Sequence, residues 1–110
     1  MITFQVGDLV RNIEREMFTA FINGASRKKK NDQVNTHMNK TAWYYRGNLI
    51  ASLTDRKFLV LYDANWQSNT TKSRLNAILS GIKYPERIYQ KNFVWYIGKN
   101  RWYNTITIYI

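Results

Sequence analysis

The run Asn69-Thr70-Thr71-Lys72-Ser73-Arg74 holds the residue types in this 110-residue chain that come nearest to binding chemistry. Downstream, Leu75, Ile78, Leu79 and Ile82 fall at i, i+3, i+4 and i+7, the spacing of one apolar helix face. Thr70 or Thr71 is placed to cap such a helix; Gly81 would close it after about Ser80, and Pro85 follows the stop. A helix start presents unpaired N–H groups at the positive end of its dipole, so carboxylates are favoured there. Here Lys72 and Arg74 stand in the first turn, each unfavourable by roughly a few tenths of a kcal/mol. An anion docked on the N–H groups, flanked by both cations and by the hydroxyls of Thr70, Thr71 and Ser73, would offset that cost; this is a phosphate-binding design. The plainer reading is an exposed turn that tolerates two cations.

Two further groups could meet a polyanion. Arg27-Lys28-Lys29-Lys30 is a run of cations that could contact phosphates without reading sequence, or could be a solvated linker. Aromatic residues also alternate with cations: Trp43, Tyr44 and Tyr45 precede Arg46, and Phe93, Trp95 and Tyr96 lie near Lys91. Exposed rings on a sheet can stack bases, at about 1–3 kcal/mol each. Strand alternation puts Trp43 and Tyr45 on one face and Tyr44 and Arg46 on the other, so one face must be core, and most of these rings belong there. Tyr44 with Arg46, and Tyr103 with Tyr109, are the better stacking candidates.

Other chemistries find little support. With one histidine and no cysteine, disulfides, iron–sulfur clusters and thiolate zinc sites are excluded, and neither metal nor cofactor is expected. His37 sits in a polar stretch and reads as a solvated loop residue. Glu14 and Glu16, two apart on a helix, point to different faces. Asp55 and Asp63 bracket a strand and read as turn residues. No Gly-rich phosphate loop, nucleophile elbow or zincin motif occurs. One catalytic route stays open, a metal-free ribonuclease in which a cation stabilises the phosphorane and a phenol or histidine moves the proton. In composition the chain resembles small basic toxins of the RelE type, without their aligned signature.

These residues must be held by ordinary elements. Asp8 can cap a helix over roughly residues 9–23, with Leu9, Val10, Ile13, Met17, Phe18, Phe21 and Ile22 on its buried side and Gly24 to end it. A rival reading takes Val6 to Val10 as an opening strand of a small barrel. Residues 25–39 read as a polar connector without a period, a loop. Thr41 to Tyr45, Leu49 to Leu53 and Phe58 to Tyr62 read as an antiparallel meander with turns at Arg46-Gly47-Asn48 and Asp55-Arg56. After the second helix, Arg87 to Gln90 and Phe93 to Ile97 flank a Lys91-Asn92 turn. A last strand from Arg101 to Ile110 puts Trp102, Ile106, Ile108 and Ile110 on one face and Tyr103, Thr105, Thr107 and Tyr109 on the other. The expected fold is α+β, an antiparallel sheet with two helices in the order α-βββ-α-βββ. It would be one domain over residues 1–110, comprising an N-terminal helix region (1–24), the connector (25–39), and the sheet with the second helix (40–110).

The charge balance is the strongest pointer to a partner. Seventeen Lys and Arg face seven Asp and Glu, a formal net charge of +10. Residues 1–39 carry six basic and four acidic side chains, whereas residues 40–110 carry eleven and three. Such an excess repels itself and points to an anionic partner, nucleic acid or an acidic protein. No run of about 18 apolar residues occurs, so no membrane span is expected. Met1-Ile2-Thr3-Phe4-Gln5 lacks the layout of a signal peptide, which favours a cytoplasmic setting.

Thr70 to Leu79, Gln90 to Ile97, Arg46-Gly47-Asn48-Leu49-Ile50-Ala51 and Tyr62-Asp63-Ala64 together carry a resemblance to a family of small uncharacterised phage proteins, over roughly residues 36–103. The resemblance implies phage origin and a host-cell cytoplasmic setting, and no known activity. The α-βββ-α order also resembles double-stranded RNA-binding domains, which present cations at a second-helix start, although the cluster here is only Lys72 and Arg74 and extra strands follow. The leading expectation is a phage protein that binds DNA or RNA through phosphates with little base specificity, using Thr70, Thr71, Lys72, Ser73 and Arg74, with Arg27, Lys28, Lys29 and Lys30 as an arm and Arg46 and Lys91 as flanks. The alternative is an inhibitor of an acidic host protein, serving counter-defence or host takeover; the third is the ribonuclease. The apolar face of Ile106, Ile108 and Ile110 could also pair across a homodimer.

Overall fold

Two helices pack their apolar stripes on a sheet, and what each stripe admits decides where the charged residues go. The computed structural model describes residues 12–65 and 67–110. The elements are α1 (Asn12–Asn23), β1 (Arg27–Lys29), β2 (Asp32–His37), β3 (Lys40–Tyr45), β4 (Asn48–Thr54), β5 (Phe58–Tyr62), α2 (Asn69–Gly81), β6 (Ile88–Lys91), β7 (Val94–Ile97), β8 (Asn100–Arg101) and β9 (Thr105–Tyr109). The class is α+β, in the expected succession of helix, strands, helix, strands. The Asp8 cap, Leu9, Val10 and the rival strand over residues 6–10 lie outside the described residues.

The strands form two antiparallel sheets rather than one: a six-stranded sheet ordered β1-β2-β3-β4-β5-β9 and a three-stranded sheet ordered β6-β7-β8. The connector expected to be a loop over residues 25–39 is largely a hairpin. Arg27↔Val34, Lys28↔Gln33 and Lys29↔Asp32 pair across β1 and β2, and β2 pairs β3 from Asp32↔Tyr45 to His37↔Lys40. The strand was concealed because its inward positions are Asp32 and Val34, both fully buried, so a carboxylate occupies a site where alternation calls for an apolar residue. The meander β3-β4-β5 stands as expected. A register shift between Trp43 and Tyr44 lets both Ile50 and Ala51 of β4 go into the core.

Met17, Phe18, Phe21 and Ile22 of α1 meet Val34, Trp43, Leu59 and Leu61 of the large sheet and Leu75, Ile78 and Leu79 of α2 in one buried cluster. Phe21 and Trp43 lie 5.8 Å apart, ring to ring. Ser68, not Thr70 or Thr71, caps α2: its hydroxyl accepts the Thr71 N–H at 3.1 Å. Gly81 belongs to the helix, with Ile82 as its last cap. Its role is space, since a Cβ there would stand 2.3 Å from Cζ of Phe18, so the missing side chain lets α1 close on α2.

The expected last strand is broken in two. β8 ends at Arg101, Trp102 turns inward against Trp95 at 5.9 Å between ring centres, and β9 then runs along β5, Phe58↔Tyr109 to Tyr62↔Thr105. The alternation read for Trp102, Ile106, Ile108 and Ile110 does face inward. Asn76 of α2 holds the small sheet in place, because its amide donates to the Ile88 carbonyl and accepts the Ile88 N–H, both at 2.8 Å.

Candidate functional site

Arg74 corrects the first expectation. It falls four residues before Ile78, on the inward stripe of α2, and its guanidinium is buried. Nε donates to Oδ2 of Asp32 at 2.9 Å and Nη2 to Oδ1 of Asp32 at 3.2 Å, while Nη1 donates to Oε2 of Glu14 at 2.9 Å. Ser73 Oγ donates to the same Glu14 oxygen at 2.6 Å, and Trp43 Nε1 donates to Oδ2 of Asp32 at 2.9 Å. The Tyr45 ring lies 5.5 Å from the guanidinium carbon. Burial works against the charge on Arg74, but hydrogen bonds and attraction from Asp32, then from Glu14, outweigh it and hold Arg74 above its ordinary value.

One cation with two carboxylates offers an incoming phosphate no net attraction. Ser73 is committed to Glu14, and Thr71 is buried, its hydroxyl accepting from Ser68 Oγ at 3.0 Å. Arg74, Ser73 and Thr71 are therefore removed from the phosphate site. Arg74 and Ser73 belong to a clasp with Glu14, Asp32 and Trp43 that joins α1, β2, β3 and α2, a structural device, and Thr71 belongs to the helix cap with Ser68. Reading the sequence missed its partners Glu14, Asp32 and Trp43. The available signal was that Glu14, three residues before Met17, and Arg74 both lie on apolar helix stripes, where a charge demands an opposite one.

What remains near the start of α2 is partial. Arg46, Thr70 and Thr71 line a cavity of about 320 Å³ with Tyr45, Asn48, Ala64 and Ser68. The N–H groups of Thr71 and Lys72 are already bonded to the Ser68 hydroxyl and carbonyl. Lys72 is half-buried and is not among the lining residues. A second hollow of about 430 Å³ between the end of α1 and the β4–β5 turn, lined by Phe21, Asn39, Asp55 and Arg56 among others, receives none of the expected site residues.

The basic run is divided. Arg27 Nη2 and Lys29 Nζ both reach Oε2 of Glu16, at 3.2 and 2.7 Å. The hydrogen bond from Lys29 is the largest influence on Glu16, and with Arg27 it overcomes desolvation to hold that carboxyl below its ordinary value. Lys28 and Lys30 are exposed, Lys30 in the turn with φ 52°. The run is thus an ordered hairpin of which half is internally neutralised. His37 is exposed at the end of β2, and no group of three or more metal-ligating side chains occurs among the described residues.

The small sheet shows the densest mixture of free cations and rings. Its register, Tyr89↔Tyr96, Lys91↔Val94 and Tyr96↔Arg101, sets those side chains on one face, while Ile88, Trp95 and Ile97 face the core. Tyr89 and Tyr96 lie near-parallel, 5.6 Å between centres and 17° apart, and the Tyr89 hydroxyl donates to the Gly98 carbonyl at 2.8 Å. The Arg101 guanidinium sits 5.4 Å from the Tyr103 ring centre. Phe93, at the turn between β6 and β7, is 90% exposed. Residues 87–110 contain no carboxylate side chain. The nearest in sequence, Glu86, lies over Gly98, where a Cβ would collide with it. Of the other rings, Trp43 and Trp95 are core, Tyr44 and Tyr45 half-buried, and Tyr109 exposed edge-on to Phe58 at 5.2 Å.

An α+β chain with an internal ion-pair clasp and a basic, ring-bearing sheet face is thus the kind of molecule to be placed, and it is a phage protein. A family model described as Kyanoviridae Gp96 protein matches residues 10–109, and the chain belongs to that family, over a wider span than the motifs within 36–103. Searches of curated proteins and of solved structures each return no match. No helix among the described residues is long and apolar enough to cross a membrane.

Proposed function

We propose that the protein binds nucleic acid through its phosphates, with little base preference and without catalysis. The observation that carries this reading is where the carboxylates go. Among the described carboxylates, Glu14 and Asp32 hold Arg74, Glu16 holds Arg27 and Lys29, Asp55 accepts from Asn39, Asp63 accepts from Asn65 and Gln67, and Glu86 alone lies at the small sheet, over Gly98. Lys28, Lys30, Arg46, Lys72, Lys91, Lys99 and Arg101 have no ion pair among the described residues. Among the described residues, these cations outside the Arg74 clasp and the Glu16 pairs are therefore presented without a neutralising partner. The small sheet, with Lys91, Lys99, Arg101 and the neighbouring Arg87, takes the central place first given to the start of α2.

A salt titration tests this. Affinity for DNA and RNA oligonucleotides should fall linearly in log–log form with salt. Each cation contacting a phosphate should, on replacement by alanine, flatten the slope by about one unit. Lys91→Ala and Arg101→Ala are expected to do so and Arg74→Met is not. No binding at low salt would overturn the proposal, as would RNA cleavage persisting in EDTA. A nuclease-resistant complex with an acidic host protein, without affinity for free nucleic acid, would replace it with the inhibitor reading.

A further inference from the structure

We infer that the outer face of the small sheet is a stacking platform for unpaired bases, so that the ligand is a single strand. The inference rests on the nucleic-acid reading above and deepens it. Neighbouring strands lie about 4.8 Å apart, so cross-strand side chains on one face form a row. On this sheet the row is Tyr89, Tyr96, Arg101, with the Tyr103 ring held against the Arg101 guanidinium at its end. Tyr89 and Tyr96 stack on one another in this row, so the ring surface left most open to a base is that of Tyr103 and of Phe93 beyond the turn, with Lys91 alongside to meet a backbone phosphate. Base planes stack on rings and on guanidinium groups with little regard to sequence. In a duplex the base planes are covered by their neighbours, and only the cations would find partners.

Phe93 is the second, independent indication. Asn92 and Phe93 occupy the two central positions of the β6–β7 turn with φ 51° and 65°. That backbone favours Asn followed by Gly. The chain places a large ring there instead, in left-handed backbone and almost wholly in water. Neither local conformation nor packing accounts for a ring at this position, whereas a base laid against it would.

Phe93→Gly suits the turn and buries nothing less, so it should leave the melting temperature at or above that of the wild type; Tyr103→Ala, at an exposed site, serves as the second variant. Binding of both variants would be measured against a single-stranded oligonucleotide and against the duplex of the same sequence. Each should weaken single-strand binding by between about fivefold and a hundredfold, leave duplex binding unchanged, and leave the salt slope unchanged. Full single-strand affinity in both ring variants, with Lys91→Ala and Arg101→Ala still weakening it, would overturn the platform and spare the phosphate reading. Equal losses on duplex and single strand would also overturn it. No affinity for either form would remove both.

Discussion

Replacing Arg74 by methionine is the sharpest perturbation the structure offers. The side chains of Asp32 and Glu14 are 0% and 3% exposed, and Arg74 is the only cation that either meets among the described ion pairs. In Arg74→Met, among the described bonds Asp32 would keep only the Trp43 N–H and Glu14 only the Ser73 hydroxyl. Stranding a buried charge costs about 3–5 kcal/mol, against a total stability of roughly 5–15 kcal/mol for a domain. At this chain length each kcal/mol shifts the midpoint by about 4 °C or more, so thermal unfolding should move down by roughly 12–20 °C. Adding Asp32→Asn and Glu14→Gln removes the stranded charges and should recover much of that loss. Circular dichroism melts of the three proteins would decide it. An Arg74→Met protein within about 1 kcal/mol of the wild type would refute the clasp, and loss of nucleic-acid binding at unchanged stability would return Arg74 to the phosphate site.

Three further outcomes are expected. Gly81→Ala should cost about 1–3 kcal/mol by overpacking, measured by urea unfolding, and Phe18→Leu in the same chain should relieve part of it. Glu16 is held below its ordinary value of 4.5, so its contribution to stability is present above that value and is lost as pH falls through the lower folded value; in a pH series Glu16→Gln should abolish this shallow acid loss, and high salt should mask it. Asn76→Ala removes both bonds to Ile88 and should speed amide exchange in β6 and β7 while the large sheet keeps its protection.

Much of the fold could be read in advance because local and global signals agreed. The 3.6 period of Leu75, Ile78, Leu79 and Ile82 marks α2, and Arg46-Gly47-Asn48 marks the turn inside the meander. The misreadings share one physical cause, a charged or polar residue facing inward. Asp32 erases the alternation of β2, and Arg74 on the apolar side of α2 looks like a surface cation until Glu14 and Asp32 are seen beneath it. No local pattern can show that three such residues, far apart in the chain, neutralise one another. The division into two sheets was hidden for a related reason. Trp102 continues the alternation of the final segment while the backbone bends between β8 and β9, so periodicity ran unbroken across a break in hydrogen bonding. For the candidate site, Lys91 and Tyr103 were legible as exposed groups, but their common surface with Tyr89, Tyr96 and Arg101 depends on cross-strand register.

The pairing of β5 with β9 has a consequence for how the molecule is assembled. Strands β1 to β5 follow one another as hairpins and can zip up from short-range turns. β9 must bridge the whole stretch from Phe58 to Tyr109, across α2 and the small sheet, before Leu59 and Leu61 gain their last neighbours. Closing that long loop is the entropically slow step. Until it occurs, the Phe58–Tyr62 segment is an unguarded apolar rim open to a neighbouring chain.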